Sequence, residues 1–417
     1  MYKKPFYGYW VLACCFIFTL ILECNVVVFS LFIKPLQASL GWSQTLILGG
    51  STIFITASAL IAPLCGRLAE RLGARTMVTA GTLVIGAGLF ILSRAENITE
   101  FYAGYILAGL GYTAAGAVTL TYVVSNWFER RRGVAVGTMS MGVGIASIIF
   151  APLVAVYLLP NLGWRATYST LGLIHVAVIL PLSILVLRTR PGDMGLRADG
   201  ATNDVADAGK DRGQPIKADS IDEGLSLKAA ASTSAFWLIG ISLVLNHTHL
   251  GVLQIIYPHL REIGFSPQVA ASAIGLTGAV ATLGLFFFGW FCDKTGAPKA
   301  TAIGMGLMTV AIVMFMAIGP HSPPALLWLS VAILGFGSGS WMPTMSMLTS
   351  MTFGMASYGP IFGVMMLFAS VGAAAGPLIA GYVHDVTLSY FWAFCIMAVM
   401  ITLGIPAVLF AKRPSRQ

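Results

Sequence analysis

Charge is scarce in this chain. Asp, Glu, Lys and Arg make up 10% of its 417 residues, against about 25% in an average soluble domain. Hydrophobic residues fill 57% of it, in runs long enough to cross a bilayer, which needs about 20 apolar residues. That excludes a soluble enzyme or binding module. Cysteine is also scarce: Cys14, Cys15, Cys24, Cys65, Cys292 and Cys395 all lie in or beside apolar runs. None has metal-ligand spacing and none lies in a loop suited to a disulfide, so they read as packing residues. No nucleotide-binding loop and no nucleophile–base spacing is present, so no enzyme, metal site or cofactor is expected. Lysine and arginine are missing from the middle of every apolar run.

What the chain does have is twelve apolar spans, near 9–33, 44–66, 76–93, 100–124, 133–157, 165–187, 235–257, 268–290, 299–319, 325–348, 359–383 and 389–411. The first has no cleavage site after it and reads as a retained helix. The net charge of +8 might suggest nucleic acid, but its distribution does not. With the N-terminus cytoplasmic, every Lys and Arg except Lys34, Arg94, Arg165 and Arg261 falls on the cytoplasmic side. The bias persists without the central loop. This is the positive-inside rule, and it predicts two cytoplasmic termini.

The chain also repeats itself. Gly66-Arg67-Leu68-Ala69-Glu70-Arg71-Leu72-Gly73 shares its pattern with Gly289-Trp290-Phe291-Cys292-Asp293-Lys294-Thr295-Gly296. Ala151-Pro152 recurs as Gly376-Pro377, at a similar offset of roughly 224 residues, as in transporters built from parallel repeats. The predicted architecture is an all-α integral membrane protein of two pseudo-symmetric six-helix halves. Residues 1–187 form the first half and 235–417 the second. Between them, 188–234 is polar and rich in charge of both signs, and reads as a cytoplasmic linker with a short helix near Ser226–Ser232. The small residues of Gly137-x-x-x-x-Gly142-x-Gly144 and Gly372-x-x-x-Gly376-Pro377 are expected to pack the fifth and eleventh spans within their own halves.

The doubled loop resembles the signature loop of the major facilitator superfamily, with Gly66, Glu70, Arg71, Gly73 and Arg75 in one copy and Gly289, Asp293, Lys294 and Gly296 in the other. Longer stretches resemble the bacterial branch of the monocarboxylate porter family. They are Phe29-Ser-Leu-Phe-Ile-Lys-Pro-Leu-Gln-Ala-Ser-Leu-Gly-Trp-Ser43, Asn126-Trp-Phe-Glu-Arg-Arg-Arg-Gly133 with Gly163-Trp-Arg165, Tyr257-Pro-His-Leu-Arg-Glu-Ile-Gly-Phe-Ser266, and Tyr358-Gly-Pro-Ile-Phe-Gly363 through to His384-Asp385. The resemblance covers nearly everything but the linker. It implies the major facilitator fold, with helices 1, 4, 7 and 10 lining a central cavity and the loop residues acting as a cytoplasmic gate. One departure stands out. Family members carrying carboxylates often have an arginine four residues before the eighth span's loop glycine, where this chain has Leu285.

An ionisable side chain at mid-membrane costs about 2.5–3.5 kcal/mol on insertion scales, so each is a functional candidate. Glu23 in span one, with His247 and His249 in span seven, are the candidates for proton coupling. The repeat offset carries Glu23 onto His247, so the acid and an imidazole are expected at equivalent levels. On a continuous helix His247 and His249 cannot share a face. His175 in span six reads as structural. Asn246, Gln254, Tyr112, Thr119, Tyr122, Ser340, Trp341 and Thr344 are candidates for substrate binding, with Thr113 and Ser338 beside them; Tyr358 and Phe362 rank lower.

The expected function is proton-linked symport of a small organic acid, monocarboxylate-like, by a monomer in the bacterial inner membrane. Its partners would be that acid, protons and the lipid bilayer, with no nucleic acid. The alternative is a proton-driven exporter of an amphiphilic or cationic compound, in which Glu23 meets the positive charge. A sensor or scaffold without flux is disfavoured by two intact gating loops.

Overall fold

The computed structural model describes residues 6–128, 132–200, 224–320, 322–354 and 357–411. The linker core 201–223 and the Glu70 side chain lie outside the described residues. All regular structure among them is helical, apart from one isolated bridge between Gly224 and Gly354. Eleven helical stretches are long and apolar enough to cross a membrane. The longest, Val134–Leu185, spans 52 residues and holds two crossings, because Gly163 breaks it at φ 72°, ψ 171°. Twelve crossings result among the described residues, so that the first begins and the last ends on one face, here called proximal.

The first three crossings are α1 (Gly8–Leu40), α2 (Gln44–Leu72) and α3 (Ala74–Arg94). The fourth is split into α4 (Ile98–Ala115) and α5 (Ala117–Trp127). α6 (Arg132–Pro152) continues through a π-helical turn, Leu153–Leu158, into α7 (Leu159–Ile174); α8 (Leu180–Leu185) completes the sixth crossing. A short α9 (Leu227–Ala231) lies within the stretch expected to be helical. The seventh crossing is split into α10 (Ser234–His247) and α11 (His249–Glu262). α12 (Pro267–Thr295) and α13 (Ala297–Met316) follow, then a split tenth crossing, α14 (Pro324–Ser338) and α15 (Trp341–Phe353). α16 (Tyr358–Thr387) and α17 (Phe391–Phe410) end the chain.

Three crossings expected to be continuous are therefore broken at mid-height. Gly116 sits at φ −91°, ψ −149°, outside the helical region, and a Cβ there would lie 2.4 Å from the Tyr112 carbonyl oxygen. The Thr119 hydroxyl donates to the Ala114 carbonyl at 2.7 Å, beside this break. At the second break the Thr248 hydroxyl donates to Leu245 O at 2.7 Å. The third lies at Gly339-Ser340. Irregular backbone at membrane depth is tolerated only where protein covers it or where it lines a watery cavity.

The two copies of the loop are matched in backbone geometry. Gly73 ends α2 at φ 82°, ψ 144° and Gly296 ends α12 at φ 84°, ψ 148°. Their positive φ accounts for glycine at both. Gly66 and Gly289 face Val118 of α5 and Pro343 of α15, which are likewise corresponding segments.

The first six crossings meet the last six along two seams, α2 against α16 and α6 against α12. The second seam corrects the expectation that the fifth span's glycines pack only within their own half. Gly142 does, against Phe16 and Leu20 of α1, but a Cβ on Gly144 would lie 2.2 Å from Thr282 of α12. Gly372 and Gly376 do pack against the seventh crossing, at Val244 and Thr248.

The described linker ends are strapped to the broken crossings. Trp127 Nε1 donates to Arg188 O at 2.9 Å and Arg190 Nη2 to Tyr122 Oη at 3.0 Å. At the other end Leu225 N donates to Phe353 O at 2.8 Å.

Candidate functional site

Glu23 lies midway along α1, half-buried. Its Oε1 accepts a hydrogen bond from Tyr112 Oη at 2.5 Å. Tyr112 stands one turn before the Gly116 break, its ring 5.2 Å from that of Phe54 on α2. The carboxylate is thus held by a phenol from the same six crossings, and its hydrogen bond is not to a histidine.

In the other six crossings, the break at Thr248 brings together what a continuous helix would separate. His247 ends α10 and His249 begins α11, and their ring centroids are 5.9 Å apart. The expectation that they lie on different faces fails because the helix does not continue through Thr248. Trp341, first residue of α15, meets His247 edge-on at 5.3 Å and 86°. His247 Nδ1 lies 2.8 Å from Leu243 O. A carbonyl can only accept, so Nδ1 carries a hydrogen, and in the neutral ring Nε2 then carries a lone pair. That Nε2 is buried and has no partner, and the same holds for Oδ1 of the adjacent Asn246. Buried polar atoms are normally satisfied; among the described residues Asn25 Oδ1, Gln44 Oε1, His259 Nε2 and His384 Nδ1 share this lack of a partner. His249 Nδ1 is tied to Asn246 O at 2.8 Å.

His175 has the opposite character. Its Nδ1 donates to Leu171 O at 2.8 Å and its Nε2 faces Asn25 Nδ2 at 2.9 Å. Both nitrogens are occupied, and the ring is 1% exposed. It joins α7 to α1 and has no atom left for a ligand.

The remaining candidates are distributed. The Thr119 hydroxyl is occupied at the fourth crossing's break, and Tyr122 Oη receives Arg190 at the proximal face. Ser340 packs against Gly304 of α13. Thr344 donates to Trp341 O at 3.3 Å. Thr113 and Ser338 donate to carbonyls one turn back, at Gly109 and Gly335. Tyr358 and Phe362 stack on each other, with Tyr358 Oη 2.8 Å from Ser346 Oγ. Gln254 lies two turns toward the distal face from His247 and donates to Ser51 of α2 at 3.3 Å.

That last bond belongs to a set closing the distal face, which the sequence reading had not singled out. Thr52 donates to Ala374 O at 2.8 Å. Asp385 of α16 accepts from Gln44 N at 2.8 Å, Thr45 N at 2.7 Å and Thr45 Oγ1 at 2.5 Å, and Gln44 Nε2 donates to Tyr390 Oη at 2.5 Å. Lys34 pairs with Glu262, which also faces His384 Nε2 at 3.1 Å. Glu23 lies roughly 16 Å of helical rise below Lys34, and His247 roughly 22 Å below Glu262. Both candidates therefore sit beneath this closure. At the proximal face Asp293 is exposed, with no ion pair among the described residues, and Arg71 and Arg75 are exposed too. The Lys294 ammonium lies 5.1 Å from the Trp290 ring centre.

Comparison with known proteins gives a consistent picture. The family model described as Major Facilitator Superfamily matches residues 12–356 and 236–417. Monocarboxylate transporter 13 of Rattus norvegicus is 26% identical over 355 residues, covering 85% of this chain and 77% of that one. An uncharacterized MFS-type transporter, YcxA of Bacillus subtilis (strain 168), is 22% identical and covers 99% of this chain and 98% of its own. Among solved structures, a bacterial homologue of the human lysosomal transporter Spinster, in an inward-facing and occupied conformation, superposes with a TM-score of 0.75. It is 15% identical and covers 98% of this chain and 97% of its own.

Proposed function

The chain belongs to the Major Facilitator Superfamily, and on that premise we propose that it carries a small organic acid inward together with a proton, by alternating access. The observation that carries this reading is the state of His247: Nδ1–H is committed to Leu243 O, while the buried Nε2 is unpartnered. A proton on Nε2 would turn a lone pair into a donor and the ring into a cation. An unpaired imidazolium and an unpaired carboxylate are each costly to bury, whereas together they compensate. Proton and acid therefore bind as a pair, which is the coupling a symporter needs. This supplies the counter-charge in a chain with no arginine at Leu285. Trp341 and His249 flank the site, and the Trp341 indole N–H is a donor for a second oxygen.

Glu23, held by Tyr112, is the second titratable group, and in this reading it takes the proton as the acid leaves. With the distal face tied shut and Asp293 exposed, the conformation reads as inward-open. The positive-inside distribution supports the distal face as the outside. The moving bodies are residues 1–187 and 235–417, joined by the 188–234 linker, in a monomer whose termini are cytoplasmic in a bacterial inner membrane. The relatives named monocarboxylate transporters support the acid as substrate class. One set of observations favours the alternative: Glu23, Asn246 Oδ1 and His247 Nε2 are all acceptors, which suits export of a cationic or amphiphilic compound with donors.

External pH in lightly buffered proteoliposomes, on adding a panel of small monocarboxylates, separates the two. Alkalinisation with one acid, absent without protein and lost in Glu23→Gln and His247→Asn, is the expected result. No response across the panel, with proton gradients intact, would sink the acid reading and leave proton-driven export.

A further inference from the structure

We propose that Asp385 is the latch of the distal gate: its carboxylate seats on the N-terminus of α2, in the other six crossings, and holds the inward-open state closed at that face. The proposal rests on the alternating-access reading and adds to it a residue and a physical device. Three donors converge on this one side chain, Gln44 N, Thr45 N and Thr45 Oγ1, at 2.8, 2.7 and 2.5 Å. Gln44 and Thr45 are the first residues of α2, so their N–H groups have no partner within the helix, and the positive end of the helix dipole favours an anion. Ser43 already caps this helix through Leu46 N at 3.3 Å. Asp385 thus takes the donors its own cap leaves free. Close approach is possible because α16 presents a glycine: a Cβ on Gly381 would lie 2.9 Å from Thr45 Cα.

The internal repeat supplies a control within the molecule. The counterpart of Ser43 is Ser266, which caps α12 through Val269 N at the same 3.3 Å. The counterpart of Gln44 is Pro267, which has no N–H to give. By the offset of 225 that pairs Pro152 with Pro377 and Tyr157 with Tyr382, the position corresponding to Asp385 is Pro160, whose side chain has no acceptor to offer. The repeat therefore keeps the cap in both copies and builds the cross-bundle acid in one. A contact needed only to fold each half would be expected in both. One joining surfaces that must part needs to exist once, and its strength sets the closed population.

The test is the distance between distal ends of the two bodies in the full-length protein. Spin labels at Thr99→Cys and Ala325→Cys, both exposed positions, would be placed after replacing the native cysteines and read by pulsed electron–electron resonance without substrate. Asp385→Asn is expected to add a longer-distance population, raising the open-to-closed ratio about tenfold, equal to about 1.4 kcal/mol. Asp385→Glu, which keeps the charge, should stay closer to the parent. Thr45→Ala removes one of the three bonds without touching the acid; it should give a smaller shift in the same direction, and serves if Asp385→Asn fails to fold. Distance distributions unchanged in both Asp385→Asn and Thr45→Ala would overturn the latch. Because no substrate is present, failure of the organic-acid reading in the flux assay leaves this result standing.

Discussion

Tyr112 donates its phenolic hydrogen to the Glu23 carboxylate at 2.5 Å, joining the first crossing to the broken fourth. A hydrogen bond to a charged acceptor is typically worth 1.5–3 kcal/mol net, so the two side chains should act as a unit. Glu23→Gln and Tyr112→Phe are expected to be non-additive, with a coupling of about 0.5–3 kcal/mol in a double-mutant cycle on the initial uptake rate. If the double variant simply loses the sum of the single losses, the contact is not part of the transport machinery.

His175 should respond differently. Both ring nitrogens are used, one on Leu171 O and one on Asn25. Replacing it with leucine removes one of two partners of the half-buried Asn25 amide, which keeps Leu22 O at 3.1 Å, at a cost of about 0.5–1.5 kcal/mol. Thermal unfolding of the purified His175→Leu protein should shift downward, while protons moved per acid stay at the parent value. A changed stoichiometry would give His175 a place in coupling that its geometry does not suggest.

Close helix crossings give a third expectation. A Cβ on Gly372 would stand 2.0 Å from the Val244 carbonyl oxygen, and one on Gly376 2.4 Å from that of Thr248. Both obstacles are backbone, so the helices would have to part. Gly372→Ala should yield little monodisperse protein. Gly359→Ala and Gly363→Ala, with nothing within 4 Å of the added carbon, should be tolerated. Size-exclusion profiles of the three variants make the comparison; equal yields would mean that the α10–α16 crossing is looser than drawn.

The contrast between residues that were legible in the sequence and those that were not has a physical basis. Span number and the matched loops at Gly73 and Gly296 follow from local chemistry, apolar length and a positive φ that favours glycine. The breaks at Gly116, Thr248 and Gly339 were not legible, because glycine and threonine inside a membrane helix signal close packing as readily as interruption. That gap misplaced the histidines: an unbroken helix sets His247 and His249 apart, while the break sets them side by side. The distal latch was hidden for another reason. Asp385 sits far in sequence from Gln44, and its partners are two backbone N–H groups and a threonine hydroxyl, which no motif records. Glu23 stood out at once, since an acid within an apolar run is rare whatever its partner.

Lys34 and Glu262 form another polar link across the distal face, and it should matter less than the seat of Asp385 on α2. Their side chains are 37% and 27% exposed, so water and salt screen the pair, and exposed ion pairs are commonly worth about 0–1 kcal/mol. Glu262 keeps a partner when the lysine is lost, because His384 Nε2 lies 3.1 Å from the same oxygen. Lys34→Ala should therefore raise the open-to-closed ratio by less than about fivefold, a difference of about 1 kcal/mol. Salt provides the discriminating measurement. At 1 M ionic strength the screening length falls to about 3 Å, so the effect of Lys34→Ala on the Thr99–Ala325 distance distribution should vanish. The effect of Asp385→Asn should persist, since that half-buried carboxylate acts through direct hydrogen bonds to backbone. If high salt abolished both effects equally, the latch would be a long-range attraction between charged surfaces, not a seat on the end of α2.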